Sequence, residues 1–354
     1  MQSSPFVSVI MPVRNDALFI ERSLRAVLAQ DYAQDRMEVI IADGLSEDGT
    51  REIIGAVSKG RPNVSLIDNP GRIVSTGLNA GLRLAKGDII VRVDGHCEIA
   101  SDYVRRCVEH LAADEIDCVG GPLETLGETY RARVIAAAMS STFGVGGSAF
   151  RVATDSARLT DTVPFPAYRR ETIQRAGPFD EELVRDQDDE YNYRVRKLNG
   201  RILLSPDIRS RYYSRASFLK LWKQYFQYGF WKVRVMQKHP RQMRARQFAP
   251  PLFVAGLALL LLSAPVFSAS KIVLAATVLA YMMLATLASI SASRRTEWKV
   301  LPFLPIAFAI IHLSYGLGFL AGLLKFGNRW GDRETRASRS ERLAQSRLNG
   351  TARP

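Results

Sequence analysis

Residues 89–98 read IIVRVDGHCE, an apolar, β-branched run that breaks into an aspartate, a glycine and a histidine. The run describes a buried strand. Asp94 and His96 stand where it emerges, at the edge where an α/β sheet keeps its ligands. From these residues alone a strand ending in a polar turn reads equally well, so the neighbouring segments decide.

Working outward, Val7 to Met11 is a short apolar run stopped by Pro12, and PVRND leads from it into an amphipathic segment, Phe19 to Gln30. Glu38 to Asp43 is a second buried-looking strand ending in an aspartate, followed by the loop GLSEDGT and a helical stretch, Thr50 to Lys59. Val64 to Asp68 and Ile73 to Ala85 repeat the unit, and Asp88 to Asp94 is the next strand. Strands alternating with helical patterns imply crossover connections and a mainly parallel sheet, hence an α/β fold. Pro12, Asp43 and Asp94 then share its carboxyl edge. No GxGxxG opens any of these units and no Walker pattern occurs, so a dinucleotide or P-loop site has no support.

Two chemistries fit these acids. Asp43 can accept hydrogen bonds from a base or ribose, and Asp94 can hold a divalent cation against a diphosphate. Magnesium-type cations keep water and phosphate in their shell, so one or two protein ligands suffice. His96 is a softer ligand, better suited to manganese. Asp43 as a turn or cap acid and His96 as a surface histidine stay open as alternatives.

A second acidic focus lies at residues 178–200, PFDEELVRDQDDEYNYRVRKLNG. Asp186 to Gly200 reads as a helix that starts in acids and stops at glycine. Dipole complementarity accounts for part of the run Asp188, Asp189, Glu190; a carboxylate held there can also deprotonate a hydroxyl nucleophile. Between the two foci, Thr142 to Tyr168 mixes glycine, proline and isolated aromatics without a period, which suits a substrate-facing loop or an ordinary one.

Beyond residue 248 the 354-residue chain changes character. Ala249–Ser268, Ile272–Ala292 and Val300–Leu324 are apolar blocks of membrane-spanning length. The net charge of +13 gathers beside them, at Arg241–Arg246, Arg294–Lys299 and the tail after Lys325, which reads as anchoring to anionic membrane lipid and leaves no nucleic-acid footprint. Ser217 to Lys238 precedes the blocks. Its apolar stripe of Leu219, Trp222, Phe226, Phe230 and Val233 opposes Lys220, Gln224, Gln227, Arg234 and Lys238, as in a helix lying on the membrane; a domain-packing helix interrupted at Gly229 is the alternative. A cytoplasmic N-terminal domain makes the first two blocks a hairpin returning at SRRTEWK. The arginine-rich tail then favours a third segment that is irregular or partly re-entrant through Pro302, Pro305 and GLGFLAGL. Cys97, Cys107 and Cys118 show no metal or disulfide spacing, and an odd count fits a reducing compartment. MQSSPF at the start has neither the basic end nor the apolar core of a secretory signal.

SVIMPVRND, IIADGLSEDGT, NPGRIVSTGLNAG, VRVDGHCEI, FDEELVRDQDDEYNYRVR, YFQYGFWK and HLSYGLGFLAG, in this order, resemble the membrane-bound family 2 glycosyltransferases of the GT-A fold. Within them the resemblance is to the succinoglycan-type β-glucosyltransferases of bacterial polysaccharide synthesis. It implies a GT-A nucleotide-sugar domain over residues 1–215, an interfacial helix and basic linker over 216–248, transmembrane helices over 249–326 and a basic tail over 327–354. Carried onto this sequence, it places Pro12, Arg14, Asp43, Arg72 and Asn79 in a UDP-sugar site. It makes Asp94 the first acid of a DXD motif, binding diphosphate and Mg2+ or Mn2+, with His96 standing where the second acid belongs. The family's ED pair appears as Gln187 and Asp188, so Asp188 is the expected general base and Asp189 the second choice. QYFQYGFW replaces the QxxRW of processive synthases, leaving Gln224, Gln227 and Trp231 as acceptor contacts. The implied activity is inverting hexosyl transfer from a UDP-sugar to a lipid-linked glycan, on the cytoplasmic face of the inner membrane. A processive synthase or a non-catalytic nucleotide-sugar-binding subunit are the alternatives.

Overall fold

A computed structural model of the chain describes residues 4–112, 115–146, 150, 156–214 and 216–331. The described chain falls into two compact units, one drawn from residues 4–124 and 156–212, the other from 125–150 and 213–331. Residues 147–149 and 151–155 of the Thr142–Tyr168 stretch and the tail beyond residue 331 lie outside the described residues.

The first unit opens with β1 (Val7–Val13), α1 (Ile20–Leu28), β2 (Met37–Asp43), α2 (Thr50–Val57), β3 (Val64–Asp68), α3 (Val74–Leu84) and β4 (Ile89–Arg92). β5 (Cys97–Ile99), α4 (Tyr103–Leu111) and β6 (Cys118–Gly120) follow, and β7 (Leu123–Leu126) carries the chain into the second unit. There it forms α5 (Tyr130–Met139) and α6 (Thr142–Val145). It returns to the first unit for β8 (Arg158–Leu159), β9 (Ala167–Arg169), α7 (Arg170–Ala176), α8 (Gln187–Lys197), β10 (Ile202–Leu204) and β11 (Ser210–Tyr213).

The main sheet has the order β3-β2-β1-β4-β9-β6-β10-β8. β3, β2, β1 and β4 run parallel, and β9 pairs antiparallel with β4 and β6. β10 returns parallel beside β6, with β8 antiparallel on its edge. The expected mainly parallel α/β sheet is therefore present, with β9 as its internal reversal. β1 is buried along its whole length, as the central strand of a two-faced sheet must be. The register pairs Val13 with Asp43 and Asp43 with Asp68, so these residues line one carboxyl edge. β1 and β4 pair only as far as Ile10 with Arg92, which frees residues 93–96 to turn over that edge. β5 then pairs antiparallel with β11, Cys97 opposite Tyr212.

The second unit continues with α9 (Phe218–Lys238), α10 (Ala249–Ser263), α11 (Ser268–Arg295) and α12 (Leu304–Lys325). Among the described residues three helices are long and apolar enough to cross a membrane. The irregular part of the third is confined to a 3-10 stretch, Trp298–Phe303, which contains Pro302; the GLGFLAGL run is regular α-helix. Pro305 sits in the first turn of α12, where a missing N–H costs nothing.

α9 buries Leu221, Tyr225, Gly229 and Val233, a line at four-residue spacing. This differs from the stripe expected from the largest apolar side chains. Leu219 is exposed and Arg234, assigned to the polar face, is buried. The reason is a close helix crossing. A Cβ at Gly229 would overlap the Tyr315 carbonyl, one at Gly318 the Phe226 carbonyl, and one at Gly322 would lie 2.6 Å from the Phe230 oxygen. Gly229, read as an interruption, is the contact point. His312 completes the HLSYGLGFLAG segment: its Nε2 lies 2.9 Å from the Phe143 carbonyl and its Nδ1 2.9 Å from the Tyr281 hydroxyl. A carbonyl only accepts, so Nε2 carries the proton and Tyr281 donates to Nδ1.

Candidate active site

Arg92 is the last residue of β4 and only 7% exposed. Its side chain turns to the first acid beyond the strand: Nε donates to Asp94 Oδ1 at 2.8 Å and Nη2 to Oδ2 at 3.1 Å. A bidentate guanidinium–carboxylate pair fixes the rotamer of both partners. Burial works against ionisation of Asp94, but the Arg92 charge and hydrogen bonds outweigh it, with His96 and Arg185 adding to the effect, and the carboxyl falls below its usual range. Burial likewise opposes the Arg92 charge, and Asp94 together with Asp188 reverses that and holds the guanidinium charged. The two acids separated by 94 residues in sequence thus act on one buried cation. The Asp94 backbone is held as well, its carbonyl accepting from Ser23 Oγ at 3.0 Å.

His96 sits two residues on. Its Nδ1 lies 3.6 Å from Asp16 Oδ1, and its ring meets Tyr212 edge-on at 5.4 Å between centroids. Gly95 is required between them, because a Cβ there would stand 2.8 Å from Asp16 Oδ2 and 2.9 Å from Val13 Cγ1. Among the described residues no group of three or more His, Cys, Asp or Glu side chains could hold an ion. The donors present, one carboxylate and one imidazole at the rim of a sheet edge, therefore fit a divalent cation only when the ligand's own oxygens complete its shell, as diphosphate does for hard cations.

The other strand ends form the remainder of the edge. Asp43 is fully buried. Ser46 Oγ donates to Oδ1 at 2.5 Å, and Ser46 N and Arg51 Nη1 donate to Oδ2 at 3.0 and 2.7 Å. Arg51 also reaches Asp68 at 2.8 Å, tying β2 to β3. Asp43 thus bonds within its own loop in the manner of the turn acid that was the alternative, Oδ1 accepting one of these bonds and Oδ2 two. Arg14 packs over Gly44, where a Cβ would sit 3.0 Å from Arg14 Cδ, and Arg72 is exposed beyond β3. Pro12 is buried within β1. Asn15, Leu45 and Arg72, one after each of β1, β2 and β3, have positive φ of 51°, 57° and 59°. Such conformations cost about 1–3 kcal/mol each in non-glycine residues and collect where a ligand must be gripped.

Asn79, expected in the donor site, lies on α3. It is 5% exposed. Its amide nitrogen donates to the Phe179 carbonyl at 2.9 Å and to Glu181 Oε1 at 2.8 Å, while its oxygen accepts from Phe179 N at 2.8 Å. Those bonds make it an anchor for the segment before α8. Ser75 on the same helix does likewise, donating to the Leu183 carbonyl at 2.8 Å.

α8 begins after Asp186, whose φ of 60° swings the chain into the helix. Of the acids in its first turn, Glu190 is buried and spent on Arg194, at 2.7 and 3.0 Å. Arg194 in turn donates to the carbonyls of Ala176 and Pro178. Asp188 is half-buried; its Oδ1 accepts from Asp189 N at 2.9 Å, and its charge acts on Arg92 and Tyr168. Asp189 is half-buried beside it.

The expected acceptor residues lie on α9 in the second unit. Gln224 Nε2 donates to the Tyr228 hydroxyl at 2.9 Å, Gln227 is exposed, and Trp231 packs 5.7 Å from the Phe326 ring. Trp231 is thus a packing residue in this structure.

The family model of glycosyl transferase family 2 matches residues 8–158, which include all of β1 but Val7, the Asp43 loop and the Asp94–His96 turn. The succinoglycan biosynthesis protein ExoA of Rhizobium meliloti (strain 1021) is 32% identical over 326 residues, covering 91% of this chain and 96% of the relative. The chain belongs to glycosyl transferase family 2. A Methanococcus voltae relative, a dolichyl N-acetyl-α-D-glucosaminyl phosphate 3-β-D-2,3-diacetamido-2,3-dideoxy-β-D-glucuronosyltransferase, is 27% identical over 90% of this chain and 98% of its own. Among solved structures, the mannosyltransferase PcManGT from Pyrobaculum calidifontis, in complex with GDP-Man and Mn2+, superposes with a TM-score of 0.58. The two are 22% identical and each chain is 88% covered. At that identity the likeness establishes the GT-A fold and nothing finer.

This family 2 chain also uses residues that the sequence did not single out. Arg92 and Arg51 are cations whose partners are buried acids, and Asp16 stands beside His96. The signal for Arg92 was present: an arginine inside an otherwise apolar strand needs a buried counter-charge. Asp16 and Arg51 gave none, since loop acids and helix arginines are common on surfaces.

Proposed function

We propose that this family 2 transferase moves a hexose, glucose or a close relative, from a UDP-sugar to a hydroxyl of a polyprenyl-diphosphate-linked glycan. The transfer inverts the anomeric configuration and serves exopolysaccharide or cell-surface glycan synthesis. One observation carries the reading: Arg92 binds Asp94 bidentately and feels the charge of Asp188. A diphosphate-end acid and a base for the incoming hydroxyl thereby share one neighbourhood. ExoA's part in succinoglycan synthesis and the dolichyl-phosphate-linked acceptor in the Methanococcus enzyme's name support the polymer and lipid-linked acceptor.

Asp188 takes the acceptor proton as the hydroxyl attacks the anomeric carbon from the face opposite the leaving group; Asp189 is the second choice for that role. Asp94 and His96 would hold Mg2+ or Mn2+, which when bound offsets the charge gathering on the departing diphosphate. Arg14 and Arg72 face the donor across the left-handed loops, with Pro12 and Asp43 shaping its floor and Asn79 fixing the segment that delivers α8. Gln224, Gln227 and Trp231 on α9 are the acceptor contacts of this reading. Residues 1–215 form the catalytic domain on the cytoplasmic face of the inner membrane, 216–248 the interfacial helix and linker, 249–326 the multi-pass membrane region and 327–354 a basic tail.

The test is transfer by the full purified chain in detergent, with a panel of UDP- and GDP-sugars, Mg2+ or Mn2+, and a lipid-linked glycan acceptor. One added sugar in β linkage from an α-linked donor is expected, read from the anomeric proton coupling. An α-linked product would sink the inverting mechanism, and a long homopolymer would establish a processive synthase in its place. Absence of transfer with nucleotide binding intact would favour a binding subunit.

A further inference from the structure

We infer that Asp16 is a positioning residue for His96, supplying from the β1–α1 loop the carboxylate that the DGH sequence lacks. The inference rests on the reading of Asp94 and His96 as the diphosphate-end ligands and adds a residue to it. Asp16 is rigidly placed. Its N–H donates to Thr50 Oγ1 at 2.9 Å, and its carbonyl starts α1 by accepting from Phe19 N and Ile20 N, both at 2.9 Å. Its Oδ1 stands 3.6 Å from His96 Nδ1, just outside hydrogen-bond reach. Its Oδ2 occupies the space that Gly95 leaves open. The Tyr212 ring braces the imidazole edge-on at 5.4 Å.

A carboxylate behind Nδ1 favours the tautomer in which that nitrogen carries the proton, and leaves the Nε2 lone pair for a cation. A ligating histidine ordinarily has such an outer partner, whose loss costs about 10–100-fold in metal affinity. The imidazole in place of the second acid also tilts the site toward Mn2+ over Mg2+, since nitrogen suits the softer ion. The glycine in DGH follows from the same arrangement, because any side chain at 95 would displace the Asp16 carboxylate.

The experiment measures Mn2+ bound to the full chain in detergent with saturating UDP, or GDP if UDP does not bind, by the loss of free-ion electron paramagnetic resonance signal. D16N should weaken Mn2+ binding about 10–100-fold with an unchanged thermal midpoint. In an H96D background no imidazole is left to orient, so D16N should cost less than in wild type, only the effect of one neutralised charge near the cation. H96D alone, with Asp16 intact, should lower the preference for Mn2+ over Mg2+. Wild-type Mn2+ affinity in D16N, or the same loss in both backgrounds, overturns the role of Asp16 while leaving the ligand reading in place. A chain that binds nucleotide but no Mn2+ in any combination overturns both.

Discussion

The carboxyl edge of the first unit and the α9–α12 crossing of the second solve opposite problems. At the sheet edge and on α8, buried charges are paired: Arg92 with Asp94, Asp43 with Arg51, Glu190 with Arg194. At the crossing, side chains are removed so that Gly229, Gly318 and Gly322 let two helix backbones approach. The first arrangement is specific in its chemistry and the second in its shape. Substitutions in the two regions should therefore fail differently, one losing activity or charge balance, the other losing packing alone.

The largest effect is expected at Asp188. A positioned general base contributes about 10²–10⁴-fold, so D188N should lower the transfer rate by that factor. Its amide can still accept from Asp189 N and Arg92 keeps Asp94 as partner, so nucleotide affinity should hold and the thermal midpoint should fall far less than in R92M. Steady-state transfer measured beside a thermal melt checks this. A rate within threefold of wild type would take the role from Asp188 and pass it to Asp189.

Arg92 comes next, with an effect on stability. Removing one partner of a buried ion pair costs about 3–5 kcal/mol, because the other charge is stranded. R92M should lose that much in denaturant unfolding, or in thermal midpoint if unfolding is irreversible. The pH dependence has a definite sign. Asp94 is held below its ordinary carboxyl value although burial alone would raise it. The stability it contributes is therefore present above the ordinary value and lost as pH falls through the depressed one. Without Arg92, burial dominates, and the acid limb of R92M should begin at higher pH than that of wild type. Identical acid limbs would mean that Arg92 is not what keeps Asp94 charged.

The sheet was legible because apolar strands ending in acids recur with helical spacers, and the Val64–Asp68 strand matches the expected bounds. The sequence marks Asp94 and Asp188 as a strand end and a helix start, and the structure adds that both act on the buried Arg92. Partners were not legible. Asp43 and Asn79 read as ligand contacts, and their bonds to Ser46, Arg51 and the Phe179–Glu181 segment join residues that no spacing rule pairs. The stripe on α9 failed for a related reason. A periodicity rule ranks side chains by size, whereas a close crossing is decided by the residue with none.

The smallest expected effect tests the crossing through a paired substitution. G322A sets a methyl 2.6 Å from the Phe230 carbonyl and 3.0 Å from Val233 Cγ2, and overpacking of this kind costs about 1–3 kcal/mol. Alanine returns about 1 kcal/mol in helix propensity, so the net loss should be about 0–2 kcal/mol. G256A on α10 meets nothing within 4 Å and keeps only the propensity term, so it should be stabilising by up to about 1 kcal/mol. The two substitutions are chemically identical and both lie in apolar helices, which leaves the distance to the neighbouring backbone as the difference between them. Thermal midpoints in the same detergent should move in opposite directions, with transfer activity per folded molecule unchanged. Equal shifts would mean that the helices separate at no cost, and that α9 is held in place by something other than its glycine contact with α12.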